Sequence, residues 1–262
     1  MRLRAPRPNE PLLGGLRLAV TLLTAIPLPG GPGPGSVPSR RTAASAMAWA
    51  PFVGLPLAAA AAAVLELAGR WGRTGPLLAA VLAMITLAAG SRGLHLDGLA
   101  DLADGLGSRQ PADGALAIMK RSDIGPFGVV TLAFTLLVQV AALAQAQALG
   151  RGAPAVICAV VSGRLAVSWA CRRGVPAARD SGLGTLVAGT LHPAIPVILT
   201  AAALAAASAF GIIAVVGIAA GLAAALAVGG LAVRRLGGIT GDVLGALVEV
   251  ATAVCLAVTA IS

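Results

Sequence analysis

The chain has 262 residues, of which 58% are hydrophobic and 11% are charged, whereas a typical soluble domain carries about 25% charged residues. Its formal net charge of +9 could suit nucleic acid, but aromatic residues make up only 3% of the chain, which disfavours stacking on successive bases. This composition predicts an all-α, polytopic transmembrane bundle in the lipid bilayer, formed by a single integral membrane domain over residues 1–262, with no nucleic-acid partner.

Apolar stretches long enough to cross a bilayer, about 20 residues, recur along the chain and predict six to seven spanning helices. Residues 1–45 are predicted as a cytoplasmic or interfacial amino-terminal segment, in which Leu12–Leu28 is either a span or a re-entrant piece. The tract from Pro193 to Val233 is divided near Phe210 because one helix of that length would overshoot the bilayer. The predicted spans are Ala46–Ala68, Pro76–Ser91, Phe127–Leu149, Pro154–Ala170, Pro193–Phe210, Ile212–Val233 and Val243–Ile261.

The basic residues between these stretches predict how the protein is oriented. With the amino terminus inside, fifteen basic residues lie on the inner side and three on the outer side, which is the bias of the positive-inside rule. This orientation brings segments 92–124, 171–192 and 234–242 together on the cytoplasmic face. We therefore expect a multi-pass protein of a bacterial cytoplasmic (inner) membrane, with an active site that faces the cytoplasm.

Five of the ten acidic residues fall in segment 92–124, the predicted active-site loop or helix. Residues 95–105 read HLDGLADLADG, so that Asp97, Asp101 and Asp104 are spaced i, i+4 and i+7 and share one face of a helix. Like charges at this spacing repel one another, and a divalent cation compensates for the repulsion. Hard oxygen ligands favour Mg²⁺, so the three aspartates are predicted to bind it and to act in catalysis. A solvated acidic face of a surface helix is the alternative.

Several other residues are predicted to complete this site. Asp242 follows a glycine-rich turn on the same side and is predicted as a further metal ligand, and Glu249 is predicted to line the floor of the site. His95 is a candidate general base, and the alternatives are that it orients Asp97 or lies at the membrane interface. Arg164 falls within a span, where a charge is costly and usually functional. The other residues predicted to contact a phosphate-bearing substrate are Arg92, Gly98, Gly105, Lys120 and Arg179, although each basic residue among them is also a simple topology determinant.

Three stretches together resemble one known family. HLDGLADLADG at 95–105, AIMKRSDIGPFGVV at 117–130 and GGITGDVLGALVE at 237–249 are similar to cobalamin synthase, the adenosylcobinamide-GDP ribazoletransferase family. The resemblance implies a Mg²⁺-dependent membrane enzyme of late vitamin B12 biosynthesis. Such an enzyme joins α-ribazole or its 5′-phosphate to adenosylcobinamide-GDP, gives adenosylcobalamin or its phosphate, and releases GMP. The family motif falls on His95, Asp97, Gly98, Asp101, Asp104 and Gly105, and later on Gly241 and Asp242, which adds Gly241 to the substrate-binding residues.

The chain departs from this family at one point, and two other functions fit part of its pattern. Many members read M-[KR]-D-S-[RH]-[IV]-G, whereas here Arg121 stands at the acidic position and the acid is Asp123, so Asp123 is assigned no role. A CDP-alcohol phosphatidyltransferase reads D-G-x2-A-R, but Asp101 and Leu102 replace the Ala and Arg. An ion-coupled transporter carries its acids within spans, whereas these lie between spans. Small residues on nearly every span leave a homo-oligomer open.

Overall fold

The structure, a computed structural model, describes residues 10–28, 38–71 and 74–261. Within these ranges the chain forms eleven α-helices and one turn of 3-10 helix at Ser208–Phe210, with no β-strand. The helices are α1 Glu10–Leu23, α2 Arg40–Trp71, α3 Pro76–Gly90, α4 Leu94–Gly107, α5 Ala112–Ile118, α6 Pro126–Ala148, α7 Gly152–Ala170, α8 Leu183–Val187, α9 Ala194–Ala207, α10 Ile212–Leu236 and α11 Gly241–Thr259.

Five helices of the described ranges are long and apolar enough to cross a membrane by themselves, namely α2, α6, α7, α10 and α11. The pair α3 and α4 meets the same criteria only as one broken span, and its two halves are bent by 87° at a short break. Because α4 therefore runs almost perpendicular to α3, we treat α4 as lying outside the spanning segments. The predicted all-α, polytopic membrane bundle is confirmed.

The amino-terminal segment and two predicted spans differ from the prediction in extent. α2 begins at Arg40 rather than at Ala46, and Leu12–Leu28 contains only α1, whose 14 residues are too few to cross a bilayer as a straight helix. Residues 1–9 and 29–37 of the predicted segment 1–45 lie outside the described ranges. α9 has 14 residues, and the predicted break after it is confirmed at Gly211, whose φ of +94° suits a glycine. α3 has 15 residues.

The helices α7 and α11 form the centre of the bundle. In their most apolar windows, 72% and 67% of the residues are buried, compared with 22% in α6. Glycines permit this close packing: a Cβ atom at Gly163 of α7 would lie 2.9 Å from the carbonyl oxygen of Val248 on α11. Small residues at such crossings let two backbones approach, which is a common basis of helix association in lipid. α7 and α11 therefore provide the rigid support for the polar residues that they carry.

Backbone hydrogen bonds tie the segment after α7 to the turn before α11. The amide of Ala178 donates to the carbonyl of Ile239 at 3.0 Å, and the amide of Ile239 donates to the carbonyl of Pro176 at 2.9 Å. These bonds form an isolated β-bridge between Ala177 and Ile239. The bridge fixes segment 171–192 against segment 234–242, and α4 packs against α11.

Candidate active site

The bend between α3 and α4 places the acidic helix. Arg92 and Gly93 both adopt left-handed backbone conformations, with φ of +57° and +68°, and Leu94 then begins α4. The guanidinium of Arg92 donates to the carbonyl oxygen of Thr21 at 3.1 Å, which connects the bend to α1. The helix predicted from the aspartate spacing is confirmed, and much of the predicted loop 92–124 is helical because α5 follows α4.

Two glycines bring α4 close to the first turns of α11. A Cβ atom at Gly98 would lie 2.6 Å from the carbonyl oxygen of Asp242, and one at Gly245 would lie 3.1 Å from the Cα atom of His95. Because no larger side chain fits at Gly98 without a shift of the backbone opposite, the glycine allows Asp242 to lie beside the aspartates of α4. Gly98 thus has a packing role, which adds to its predicted place in substrate binding.

The charges of Asp97, Asp101 and Asp242 act on one another. Partial burial, followed by the charges of Asp97, Asp242 and Asp104, raises the pKa of Asp101 from 3.8 to about 6. Each of these neighbours disfavours the charged form of Asp101, and Arg179 opposes them only in part. The carboxylates therefore form an acidic cluster of interacting charges.

The donor chemistry of this cluster fits Mg²⁺, which is usually held by one or two carboxylates while water and substrate phosphates complete its coordination. In the residues that the structure describes, no three acidic, histidine or cysteine side chains are arranged to hold one metal ion.

Asp104, the third aspartate of the predicted face, contacts the backbone at the start of α6. Its carboxylate accepts hydrogen bonds from the amides of Gly125 at 2.7 Å and Gly128 at 2.9 Å. The first amides of a helix have no partner within the helix, and their positive end attracts a carboxylate. Asp104 therefore caps α6 from a neighbouring helix. Each of its oxygens accepts one hydrogen bond in this way, and the predicted metal-binding and catalytic roles of Asp104 stay predictions.

Arg179 connects the three segments that were predicted to converge. It belongs to segment 171–192, and its guanidinium donates to Asp242 Oδ2 at 3.4 Å and to the carbonyl oxygen of Leu116 on α5 at 3.1 Å. Its side chain is only partly buried, and Thr240 shares the same Asp242 oxygen at 3.2 Å. The structure thus places the Arg179 guanidinium at the edge of the acidic cluster, where an anionic group of a substrate can reach both the guanidinium and the cluster.

A second polar cluster lies in the bundle behind His95. Arg164 on α7 is buried, and its Nη1 atom lies 2.7 Å from His95 Nε2. Since a guanidinium only donates, Nε2 accepts and the imidazole proton lies on Nδ1. The lone pair that a general base would use is therefore occupied. The predicted catalytic role of His95 and its alternatives, orienting Asp97 or lying at the membrane interface, stay predictions, while the contact with Arg164 links α4 to α7.

Glu249 and Gln139 extend this second cluster. The amide of Gln139 donates to Glu249 Oε2 at 2.8 Å, and the charge of Glu249 acts on Arg164. The two residues line a cavity together with Arg164 and His95, and His95 also lines the cavity beside Asp97 and Asp242. Glu249 therefore lies behind His95 rather than among the aspartates. The sequence analysis did not single out Gln139, although a polar amide side chain in the middle of an apolar span was a signal that could have identified it.

The remaining predicted residues surround these two clusters. Lys120 is exposed just after α5, and Gly241 opens α11 against the side chain of Leu183. Gly105 faces Met119 of the segment after α5, where a Cβ atom would lie 2.6 Å from the Met119 Cγ. Gly105 thus packs α4 against that segment. Substrate contacts of Lys120, Arg92 and Gly241 stay predictions.

Two cavities flank α4. One, of about 250 Å³, is lined by Asp97 and Asp242 together with apolar residues of α1, α2, α7 and α11. The other, of about 200 Å³, is lined by Asp101 and Asp104 with Arg121 and Asp123. Asp123 thus faces the acidic helix even though the family pattern gives it no role.

Comparisons with known proteins agree with the sequence motifs. The family model described as cobalamin-5-phosphate synthase matches residues 15–260. Two relatives, both described as adenosylcobinamide-GDP ribazoletransferase, come from Frankia casuarinae, 39% identical over 94% of each chain, and from a Nocardioides species, 39% identical over 92% of this chain and 95% of the relative. A third with the same description, from Chlorobaculum tepidum, is 35% identical over 92% of this chain and 93% of the relative. No solved structure matches the chain.

The matches cover all helices that build both clusters, from α2 to α11, and the relatives have almost the same length as this chain. The chain belongs to the cobalamin-5-phosphate synthase family.

Proposed function

We propose that this protein transfers the adenosylcobinamide-phosphate group of adenosylcobinamide-GDP to α-ribazole or to its 5′-phosphate and releases GMP. Family membership and the activity after which its relatives are named support this proposal. The observation that carries it is the acidic cluster of Asp97, Asp101 and Asp242 beside Arg179. Clustered carboxylates next to a cation suit a substrate that brings a metal-bound diphosphate.

In this reaction a ribose hydroxyl of the acceptor attacks the phosphorus next to the cobinamide side chain. A new P–O bond forms, the P–O bond to GMP breaks, and the hydroxyl proton passes to a base. An aspartate of the cluster is our candidate for that base, because His95 Nε2 already accepts from Arg164. Arg179, at the edge of the cluster, is our candidate for orienting the diphosphate.

We also propose that Mg²⁺ is held by one or two of Asp97, Asp101 and Asp242 and shares its remaining coordination with water and the diphosphate. When bound, the ion neutralises charge that develops on the phosphoryl oxygens and on GMP. The raised pKa of Asp101 supports this proposal, since a cation would offset both the burial and the neighbouring negative charges that raise it.

The first test is the release of GMP by the purified protein in liposomes. Adenosylcobinamide-GDP, α-ribazole and Mg²⁺ together are expected to give GMP and the joined corrinoid, whereas omission of the acceptor or removal of Mg²⁺ by EDTA is expected to stop the reaction. Turnover that persists in EDTA would refute the metal proposal alone. Absence of GMP release under all conditions, with CMP release from CDP-diacylglycerol, would favour the phosphatidyltransferase alternative.

The orientation of the site is a further part of the proposal. We propose that the acidic cluster faces the cytoplasm of a bacterial inner membrane, as the inner excess of basic residues supports. The described cysteines, Cys158, Cys171 and Cys255, are buried, so an Asp113→Cys variant offers one exposed thiol on α5. A membrane-impermeant maleimide should label this thiol in inverted vesicles and not in right-side-out vesicles; the opposite pattern would reverse the orientation.

Gly98→Ala is predicted to reduce transfer about a hundredfold while the protein still inserts and folds. The added methyl group would lie 2.6 Å from the Asp242 carbonyl oxygen, so α4 and α11 must separate. A misplacement of about 1 Å in a reacting group costs roughly that factor in rate. The measurement is kcat/KM for adenosylcobinamide-GDP in liposomes, with the melting temperature as the folding check.

The matched control for this variant is Gly229→Ala on α10. Its Cβ atom would lie 3.5 Å from the side chain of Leu247, which is an ordinary contact. Both substitutions gain the same intrinsic helix propensity, about 1 kcal/mol. Equal activities of the two variants would show that close contact at Gly98 is not required.

A further inference from the structure

The cavity beside Asp97 and Asp242 has two chemically different ends. Its polar end contains these two carboxylates and His95. Its other walls are apolar, and Leu23, Met47, Val167 and Leu244 among them are at most 7% exposed. These side chains belong to four different helices, so protein forms the inner part of the apolar end, while the lining residue Leu94 is 43% exposed.

The size and polarity of the cavity indicate which chemical group of the proposed substrates it can bind. Its volume of about 250 Å³ is much too small for a corrin macrocycle. A guanine base would fit by size, but its acceptor atoms O6, N7 and N3 would lie among apolar side chains without a side-chain donor. Burial of an unpaired polar group costs roughly 1–3 kcal/mol. A benzimidazole-type base has two fused apolar rings and only one free nitrogen acceptor.

We propose that this cavity binds the benzimidazole-type base of the acceptor nucleoside. The inference rests on the proposed function and assigns to it a subsite for the acceptor. With the base against these apolar walls, whose buried part includes Met47 and Val167, the attached ribose lies at the polar end, next to Asp97 and Asp242. A hydroxyl at that position lies beside the carboxylates that are proposed to hold the diphosphate, so the apolar end also sets the direction of attack.

The test changes the size of the cavity in both directions and measures the choice of acceptor. The acceptors are the α-ribosides of benzimidazole, of dimethylbenzimidazole and of the larger naphthimidazole, each assayed by GMP release in liposomes. Met47→Ala enlarges the apolar end and should shift the ratio of kcat/KM values toward the naphthimidazole riboside by about tenfold, since a methylene in an apolar pocket changes selectivity at least that much. Val167→Phe should shift the ratio toward benzimidazole.

Met84→Ala is the matched control. Met84 is also buried, at 8% exposure, but it lies on α3 and does not line this cavity. It should leave acceptor selectivity unchanged, and none of the three variants should change the KM for adenosylcobinamide-GDP by more than about twofold.

An unchanged acceptor ratio in both Met47→Ala and Val167→Phe, with GMP still released, would overturn the base assignment alone. A rise confined to the KM for adenosylcobinamide-GDP would assign the cavity to the donor and equally overturn it. If the wild-type protein releases no GMP with any acceptor, the proposed function itself fails, so the two failures are distinguishable. Selectivity is a ratio within one variant, so a loss of folded protein does not imitate the expected result.

Discussion

Asp101→Asn is expected to lower kcat at least about a thousandfold, while the protein still inserts in the membrane. The amide keeps the shape of the side chain but removes the negative charge on which Asp97, Asp242 and Asp104 all act. Loss of one such electrostatic contact to developing charge in an active site costs about 100-fold to 1,000-fold, and a lost metal ligand adds to that cost. The measurement is GMP release at saturating Mg²⁺ and substrate.

Thermal unfolding separates this effect from a folding defect. In EDTA, Asp101→Asn should melt at the same temperature as the wild type or higher, because it removes one of several mutually repelling charges. Addition of Mg²⁺ should raise the melting temperature of the wild type and have little effect on the variant, since a ligand stabilises only a protein that binds it.

Asp113→Asn is the matched control for this experiment. Asp113 lies exposed in the first turn of α5, outside the acidic cluster, so the same change should leave both turnover and the response to Mg²⁺ at wild-type values. Full turnover in Asp101→Asn would remove the cluster from the chemistry.

Local spacing predicted much of the acidic helix but not the partner of each side chain. The i, i+4, i+7 pattern correctly predicted that Asp97, Asp101 and Asp104 lie on one helix, because this periodicity depends only on neighbours in the chain. The amides that engage Asp104 belong to Gly125 and Gly128, at the start of another helix, and no periodicity encodes that contact. The spacing therefore predicted the shared helix but not the contact of Asp104 with the start of α6.

The convergence of the polar segments was predictable for a different reason. The bias of basic residues predicts on which side of the membrane each loop lies, and loops on the same side of one bundle are expected to lie near one another. It gave no distances, so the contact of Arg179 with both Asp242 and Leu116 appears only in the structure. Similarly, a charge within a span marked Arg164 as unusual, but His95 lies 69 residues away from it in the chain.

Arg164→Met is expected to destabilise the protein by roughly 3–5 kcal/mol and to reduce transfer strongly. The guanidinium is buried, and its removal leaves Glu249 charged in the interior with Gln139 as its hydrogen-bonding side chain. Arg164 and Glu249 interact through their charges without direct contact, and loss of a buried countercharge costs about this much because the other charge remains desolvated. It also removes the donor to His95 Nε2, which holds α4 against α7. The melting temperature in detergent measures the first effect and kcat/KM the second.

A second substitution separates these two contributions. Adding Glu249→Gln to Arg164→Met removes the orphaned charge, so the double variant should recover much of the lost stability. It should not recover transfer, because His95 still has no donor. Arg173→Met, which removes an exposed arginine just after α7, should change neither quantity and serves as the control.

The same variants test whether Arg164 contacts the substrate. An arginine that only binds the diphosphate would leave the fold stable when replaced, and its loss would raise the KM for adenosylcobinamide-GDP with little change in melting temperature. If Arg164 is a positioning residue, its replacement lowers the melting temperature. The added Glu249→Gln substitution then restores stability, while turnover stays low. If the double variant melts as low as Arg164→Met, the attraction between the charges of Arg164 and Glu249 does not stabilise the bundle, and the buried cluster has no such positioning role.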